Sequence, residues 1–325
     1  MAVKYIFSTD DFGPIKSINN GIFDLVKKGV INSVHILVNN DDKISLSKKL
    51  FQLNSKVPKG KELEIGLHLS ITSGSPLTIR GVSEFRAKAI WGDLISKKKE
   101  HWCFKSFKYQ YHSFLKKISE VNNEFIEQYR LLIDAFKLFK IRASDVRIKF
   151  ASISLHHKFL DLTCSLFKKF HKEISKDLTF RSNIIIPQIK GKIYKTYLSK
   201  LFKSNLNVYK NIDLKKEENY FYQSNIKLSS QYLDVSFYTP LKARFIRKKH
   251  NIYVEQKIFT LTKMFRYSKS KNSSTVEFVF HVICFDDQNK FETNYNGISQ
   301  KYYQGRHIEY LALLRAKDLG FFDKI

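Results

Sequence analysis

The feature that most constrains the fold is the alternation of short apolar runs with amphipathic stretches over the first seventy residues. The run from Val3 to Ser8 predicts a buried strand, and "SINNGIFDLVKKG" predicts a helix that has one apolar stripe and ends at Gly29. Two more apolar runs, "VHILVN" and "ELEIGLHLSI", lie on either side of a second helical segment, "SLSKKLFQLN". This order predicts a parallel sheet covered by helices, either an open doubly wound sheet or a (β/α) barrel.

The rest of the chain continues this alternation less regularly. Helices are predicted over "NNEFIEQYRLLIDAFKLF", "DLTCSLFKKFHKEI" and "GRHIEYLALLRAKDL", and strands over "RIKFASISLH", "LTFRSNIII" and "STVEFVFHVICF". Residues 80–120 are aromatic and basic and predict a long functional loop, while residues 188–270 are basic, rich in Tyr and without a clear period. Because no repeat or Gly/Ser linker divides the chain, we expect one α/β domain over 1–325 with insertions at about 80–120 and 188–270.

The charge and cysteine content exclude some classes of protein. The formal charge of +27 suggests an anionic partner, but the lysines are spread along the chain without a basic motif, so no specific nucleic-acid binding is expected. The three cysteines are far apart and form no CxxC pair, which argues against a disulfide scaffold or a thiolate metal site. The sequence contains no leader-like start and no apolar run long enough for a transmembrane segment, so a soluble cytoplasmic protein is expected, and a homodimer is left open.

Acidic and imidazole side chains gather at the ends of the predicted strands. Asp10 and Asp11 end the first strand, His68 lies on the polar face of the third, and His156 and His281 lie near the ends of two later strands. In parallel α/β folds these strand ends form one edge, where ligands and catalytic groups collect. Two neutral imidazoles and a carboxylate suit a divalent cation with open positions for water, and a second carboxylate could take a proton from that water. Adjacent residues of an extended backbone point apart, so the two aspartates could divide these roles.

Each of these signals also has a structural interpretation. The "DDFG" sequence could form a plain turn that caps the following helix, and a histidine in a strand is often a hydrogen-bonded core residue. The metal-site hypothesis depends on the convergence of four weak signals at one edge of the sheet.

The motifs "STDDFG", "NNGI", "VNN", "GLHLSITSGSPL", "SLHH" and "VEFVFH" follow one another in an order and spacing that resemble the YdjC-like carbohydrate deacetylase family, which includes chitooligosaccharide deacetylases. The resemblance extends from Val3 to the "GRHIEYLALL" segment. It implies a distorted (β/α) barrel that removes an N-acetyl group from an amino sugar or N-acetylated saccharide with one bound divalent metal ion, Mg²⁺ or Zn²⁺.

The resemblance also assigns roles to residues by position. Asp11, His68 and His156 are implied as metal ligands, Asp10 as the general base that activates water, and His281 as a general acid or substrate contact. The expected chemistry is metal-assisted amide hydrolysis, in which the metal, and a backbone N–H near Gly13, stabilise the oxyanion.

Further positions are assigned to the substrate and to the scaffold. Arg181 and Glu277 are implied as substrate-binding residues, with Arg181 also able to orient an aspartate. Glu124 and Gln128 in "EFIEQ" match a Glu-x-x-x-Gln segment of the family. Five aromatic side chains of the 80–120 segment suit either stacking on sugar rings or a hydrophobic lid: Trp91, Trp102, Phe104, Tyr109 and Tyr111.

The sequence departs from the family pattern at three places. Leu160 lies near the position of a further family histidine, Val282-Ile283 replaces Pro-Gly after His281, and Ser8-Thr9 replaces Asn-Ala before the two aspartates. A changed substrate pocket is therefore expected. The alternative hypothesis is a catalytically weakened protein that keeps the fold and binds a glycan or a nucleotide sugar.

Overall fold

The computed structural model describes residues 4–71, 74–98, 101–105, 116–138, 147–150, 179–181, 227–229, 232–234, 250–269, 275–285 and 300–324. Their strands and helices run in the order β1 (Lys4–Phe12), α1 (Lys16–Lys27), β2 (Ser33–Ile36), α2 (Lys43–Asn54), β3 (Glu64–Leu69), α3 (Glu84–Trp91), β4 (Ile95–Lys98), β5 (His101–Phe104), α4 (Ile118–Leu138), β6 (Arg147–Phe150), β7 (Thr179–Arg181), β8 (Lys227–Ser229), β9 (Tyr232–Asp234), α5 (His250–Lys269), β10 (Thr275–Phe280) and α6 (Gln300–Asp318). Short 3₁₀ turns cover Leu77–Ile79, Gly92–Leu94 and Phe322–Lys324.

The main sheet has eight strands in the order β8-β7-β6-β3-β2-β1-β10-β9, and every pairing within it is parallel. The predicted parallel sheet with covering helices is confirmed. The predicted barrel is not confirmed, because β8 and β9 are the two edges and the described strands form no closed sheet.

The chain itself requires this open sheet to curve. Seven strand-to-strand steps in a flat sheet would separate the edges by about 34 Å. Only residues 230–231 connect β8 to β9, and three Cα–Cα steps reach at most about 11 Å. The two edges therefore approach each other without forming a ladder in the part of the chain that the structure describes.

The strands and helices form where the sequence pattern predicts them in the first seventy residues. Burial on both faces explains the nearly continuous apolar runs of β1, β2 and β10. Helix α1 buries Ile18, Ile22 and Leu25, and Gly29 ends it with a φ of 68° that non-glycine residues rarely adopt. Asp42 caps α2 by accepting a hydrogen bond from the Ser45 N–H.

Two segments differ from the prediction. The 80–120 segment is not an irregular loop in its described part, because it contains α3 and an antiparallel β4–β5 hairpin. Within 188–270, α5 is a helix of 20 residues whose Val254 packs with Ile308 and Ala312 of α6. The many Lys and Tyr residues of these segments obscured their helical and strand periods. None of the described helices is both long and apolar enough to span a membrane.

Candidate active site

The two adjacent aspartates lie where the pairing of β1 with β2 becomes irregular. The register between the two strands shifts between Thr9 and Phe12, and Asp11 has a φ of 67°. Asp11 is the only non-glycine residue with positive φ among the described residues. This backbone conformation costs about 1–2 kcal/mol for an ordinary residue and somewhat less for Asp. The backbone at the two aspartates is therefore irregular, and the simple alternation expected from an extended backbone does not apply at Asp11.

Asp11 lies between an imidazole and a guanidinium. Its Oδ1 is 3.0 Å from His68 Nδ1 of β3, and its Oδ2 accepts a hydrogen bond of 2.5 Å from Arg306 Nη2 of α6. Burial by itself would raise the pKa of Asp11, but Arg306 and the hydrogen bond with His68 outweigh burial and hold the pKa well below its usual range. The carboxylate is therefore charged throughout the physiological pH range.

Asp10 is fully buried between two histidines from the neighbouring strands. Its Oδ1 is 3.5 Å from His35 Nδ1, and its Oδ2 is 3.5 Å from His281 Nε2. His35 was not predicted, although the register of β1 with β2 pairs Thr9 with Val34 and so brings His35 beside Asp10. The side chain of Asp10 is 0% exposed, whereas that of His281 is 14% exposed, so His281 is the member of this pair that reaches solvent.

Helix α6 contributes a second residue to the site through a buried ion pair. Glu309 Oε1 accepts a hydrogen bond of 2.8 Å from the backbone N–H of His281, and Glu309 Oε2 lies 3.0 Å from Lys257 Nζ of α5. Arg306 and Glu309 are three residues apart, so one face of α6 contacts both Asp11 and His281. Neither residue was predicted from the sequence. The available signal was a pair of opposite charges three positions apart in a predicted helix.

Glu124 and Gln128 of α4 fix the segment that follows His68. Gln128 donates to the Ser70 carbonyl (2.7 Å) and accepts from the Ser70 N–H (3.0 Å). Glu124 accepts hydrogen bonds from the backbone N–H groups of Leu77 and Thr78. Burial raises the pKa of Glu124, and these hydrogen bonds oppose that effect. Both side chains therefore hold the shape of the loop.

The remaining predicted site residues have different outcomes. His156 lies outside the described residues, and Arg181 is described in β7 without its side chain. Glu277 is buried and accepts a hydrogen bond of 2.7 Å from Ser8 Oγ, and its contact with substrate stays a prediction. The N–H of Gly13 donates to Asn19 Oδ1 at 2.8 Å, so this N–H is not available to an oxyanion.

The aromatic residues of the 80–120 segment divide between the core and the surface. Trp91 and Phe104 pack edge to face in the core, with ring centroids 5.1 Å apart. The lid interpretation fits these two residues. Trp102 is partly buried and lines an open groove. Tyr109 and Tyr111 lie outside the described residues.

The fit of a metal ion can be tested on the donors themselves. Asp11 and His68 supply one oxygen and one nitrogen in mutual contact, a donor set that suits Zn²⁺, Mn²⁺, Co²⁺ or Mg²⁺. The described residues contain no group of three or more His, Cys, Asp and Glu side chains that could hold a metal ion, and the third predicted ligand, His156, lies outside them. Two of the three predicted ligands are therefore in contact, and the metal site itself stays a prediction.

Comparisons with known proteins agree with the resemblance. A family model described as YdjC-like protein matches residues 4–317. A carbohydrate deacetylase of Halalkalibacterium halodurans is 36% identical over 76 residues, which are 23% of this chain and 29% of that protein. Carbohydrate deacetylase 2 of Listeria innocua is 34% identical over 120 residues, 34% of this chain and 44% of that protein. The alignments thus span less than half the length of these relatives.

A solved structure is similar over the whole chain. It is that of a candidate cellobiose-phosphate cleavage protein from Enterococcus faecalis V583, with a TM-score of 0.57 and 15% sequence identity, and it covers 100% of this chain and 95% of that one. At this identity the likeness concerns the fold alone.

Proposed function

The chain belongs to the YdjC-like protein family, and we propose from this membership that it is a hydrolase that removes an N-acetyl group from an amino sugar or N-acetylated saccharide. The names of the similar carbohydrate deacetylases support the reaction class. The observation that carries the proposal is the contact between Asp11 and His68, beside the contact between Asp10 and His281, at the carboxyl ends of neighbouring strands.

Asp11 and His68, together with His156, would hold one divalent metal ion, Mg²⁺ or Zn²⁺. Such an ion would polarise the acetyl carbonyl and lower the pKa of the attacking water. Arg306 keeps Asp11 ionised and fixes Oδ2, which leaves Oδ1 directed at His68. The left-handed backbone of Asp11 is consistent with a conformation retained for function.

Asp10 and His281 would move the proton. Asp10 Oδ2 would take the proton of the attacking water as general base, and His281 Nε2, 3.5 Å away, would receive it. His281 would then protonate the leaving amine, so that the C–N bond breaks as the proton reaches nitrogen. His35, on the other side of Asp10, would help to hold the carboxylate in place.

The test is release of acetate from N-acetylated mono- and disaccharides, measured with added metal ions and after chelation. Asp11→Asn should reduce the rate by orders of magnitude, and Asn tolerates the left-handed backbone at this position. Asp134→Asn, a matched change at an exposed position of α4, should leave the rate unchanged. Acetate release at the wild-type rate by Asp11→Asn would refute the proposal.

The alternative is a catalytically weakened protein that binds a glycan or a nucleotide sugar. Its support is the replacement of the family's Pro-Gly after His281 by Val282-Ile283, which is buried in the core. This alternative predicts saccharide binding by calorimetry without acetate release at any metal concentration. Retention of a divalent ion through purification, together with activity lost on chelation, would favour the hydrolase.

A further inference from the structure

An open groove of about 750 Å³ lies between the segment that follows β2 and the β4–β5 hairpin. Its volume is in the range of sites that bind small molecules. Its lining includes Asn39, Asp41, Asp42, Arg80, Lys97 and Trp102. None of the aspartate or histidine residues assigned to the reaction lines it.

The groove is connected to the candidate active site on two sides. Lys49 Nζ donates to the Gly13 carbonyl at 2.7 Å and pairs with Asp41 Oδ1 at 2.6 Å, and Gly13 is two residues beyond Asp11. Asn39 Nδ2 donates to the carbonyl of Ser70, which is two residues beyond a proposed metal ligand. Two residues that line the groove are therefore linked to the candidate reaction centre. Asn39 contacts the residue two positions beyond His68, and Asp41 is linked through Lys49 to the residue two positions beyond Asp11.

The charges of the groove are balanced. Lys97 pairs with Glu84 at 3.2 Å, and Arg80 lies in the electrostatic field of three carboxylates, those of Glu124, Asp41 and Asp42, so negative charge surrounds the basic side chains that line the groove. Although the chain has a formal charge of +27, its described lining is therefore unlike the clustered cations that bind phosphate. Neutral hydroxyl groups, which both donate and accept, match this mixed lining better.

Trp102 and Asp42 supply complementary contacts for a sugar. Trp102 lies opposite Lys97 in the hairpin, and Lys97 Nζ is 6.0 Å from the centroid of the Trp102 ring. The partly buried indole offers an apolar face of the kind on which ring-shaped ligands stack. Asp42 also lines the groove and is exposed, so its carboxylate can accept a hydrogen bond from a sugar hydroxyl.

We propose that this groove is a subsite for an uncharged pyranose unit of the substrate, one that is not itself deacetylated, and that Trp102 stacks on its ring. The inference rests on the proposed function for the identity of the ligand as a saccharide. It adds a specificity-determining element in the β4–β5 hairpin, beside the candidate reaction centre.

The two tryptophans of the chain provide the test, since Trp91 is buried in the core and Trp102 lines the groove. Tryptophan emission is followed while metal-free protein in chelator is titrated with the neutral disaccharide of N-acetylglucosamine, so that no turnover occurs. Wild-type emission should change saturably. The Trp102→Phe variant should lose this emission change, because Trp91 is then the only tryptophan. Its affinity for the disaccharide, measured by calorimetry, should stay within a few-fold of the wild-type affinity.

Trp102→Leu keeps apolar volume but removes the aromatic ring, and should weaken disaccharide binding by about tenfold or more. Emission from Trp91 reports whether each variant is folded. Three results would overturn the subsite. Wild-type emission could stay unchanged at saturating disaccharide, or the Trp102→Leu variant could bind the disaccharide as tightly as wild type. The third result is binding of a 6-phosphorylated disaccharide without binding of the neutral one.

The two proposals fail in different ways. Disaccharide binding that depends on Trp102, without acetate release after metal is restored, would refute the hydrolase and support the subsite. Acetate release by the wild type, together with no effect of the disaccharide on Trp102 emission, would refute the subsite and support the hydrolase.

Discussion

The buried ion pair between Lys257 and Glu309 gives the sharpest test of how the site is held. Lys257→Met should destabilise the protein by about 3–5 kcal/mol, because it leaves a buried carboxylate without its cation. The two charges are 3.0 Å apart, and both side chains are 2% exposed. At this separation their attraction is about 5 kcal/mol for an effective dielectric constant of about 20. Desolvation offsets much of that attraction while both partners are present, so removal of one partner has the larger effect.

Urea denaturation followed by tryptophan emission measures the change in the free energy of unfolding. Lys88→Met is the matched control, since Lys88 pairs with Glu84 in an exposed position (61% and 50%) and should change stability by less than about 1 kcal/mol. If Lys257→Met is no more destabilising than Lys88→Met, Lys257 and Glu309 do not form a buried ion pair.

A double variant separates the charge from the hydrogen bond. Lys257→Met with Glu309→Leu removes both charges, so it should be less destabilising than Lys257→Met alone. About 1–3 kcal/mol should remain, because the backbone N–H of His281 loses its acceptor. If the hydrolase proposal holds, acetate release should fall in the double variant, since His281 is no longer fixed. Full stability together with full activity would contradict the assigned contact.

Three further predictions concern the scaffold around the site. Gly74→Ala should cost about 1–3 kcal/mol more than Gly81→Ala, because both glycines have positive φ but only at Gly74 would a Cβ meet the Asn39 side chain, at 2.6 Å; urea denaturation of both variants checks the difference. Glu124→Gln should gain stability relative to wild type as the pH rises from about 4 to 7. Burial raises the pKa of Glu124, so the folded wild-type protein holds this proton more tightly than the unfolded chain and loses stability as the proton leaves; denaturation at both pH values tests the sign. Trp91→Ala should cost about 3–5 kcal/mol by opening a core cavity, and a loss below about 1 kcal/mol in thermal or urea unfolding would contradict its burial.

The agreement between sequence and structure was greatest where one local period decided the outcome. The apolar runs of β1, β2 and β3, and the Gly29 that ends α1, formed as predicted because burial on both faces and a left-handed helix end leave recognisable local patterns. The helix α5 was missed because its polar and apolar side chains form no clear amphipathic stripe. The predicted barrel was not confirmed, since closure of a sheet depends on pairing between its edges and no single segment encodes it.

By itself, the sequence determined that Asp10, Asp11, His68 and His281 lie at one edge of a parallel sheet, because strand direction and the alternation of side chains follow from local composition. Only the tertiary structure decided which charges face one another there. Arg306 reaches Asp11 across 295 positions of the chain, and Glu309 fixes His281 from a helix to which the sequence motifs assigned no site residue. Such contacts depend on how distant helices pack against the sheet, and the periodicity of either segment alone carries no record of that packing.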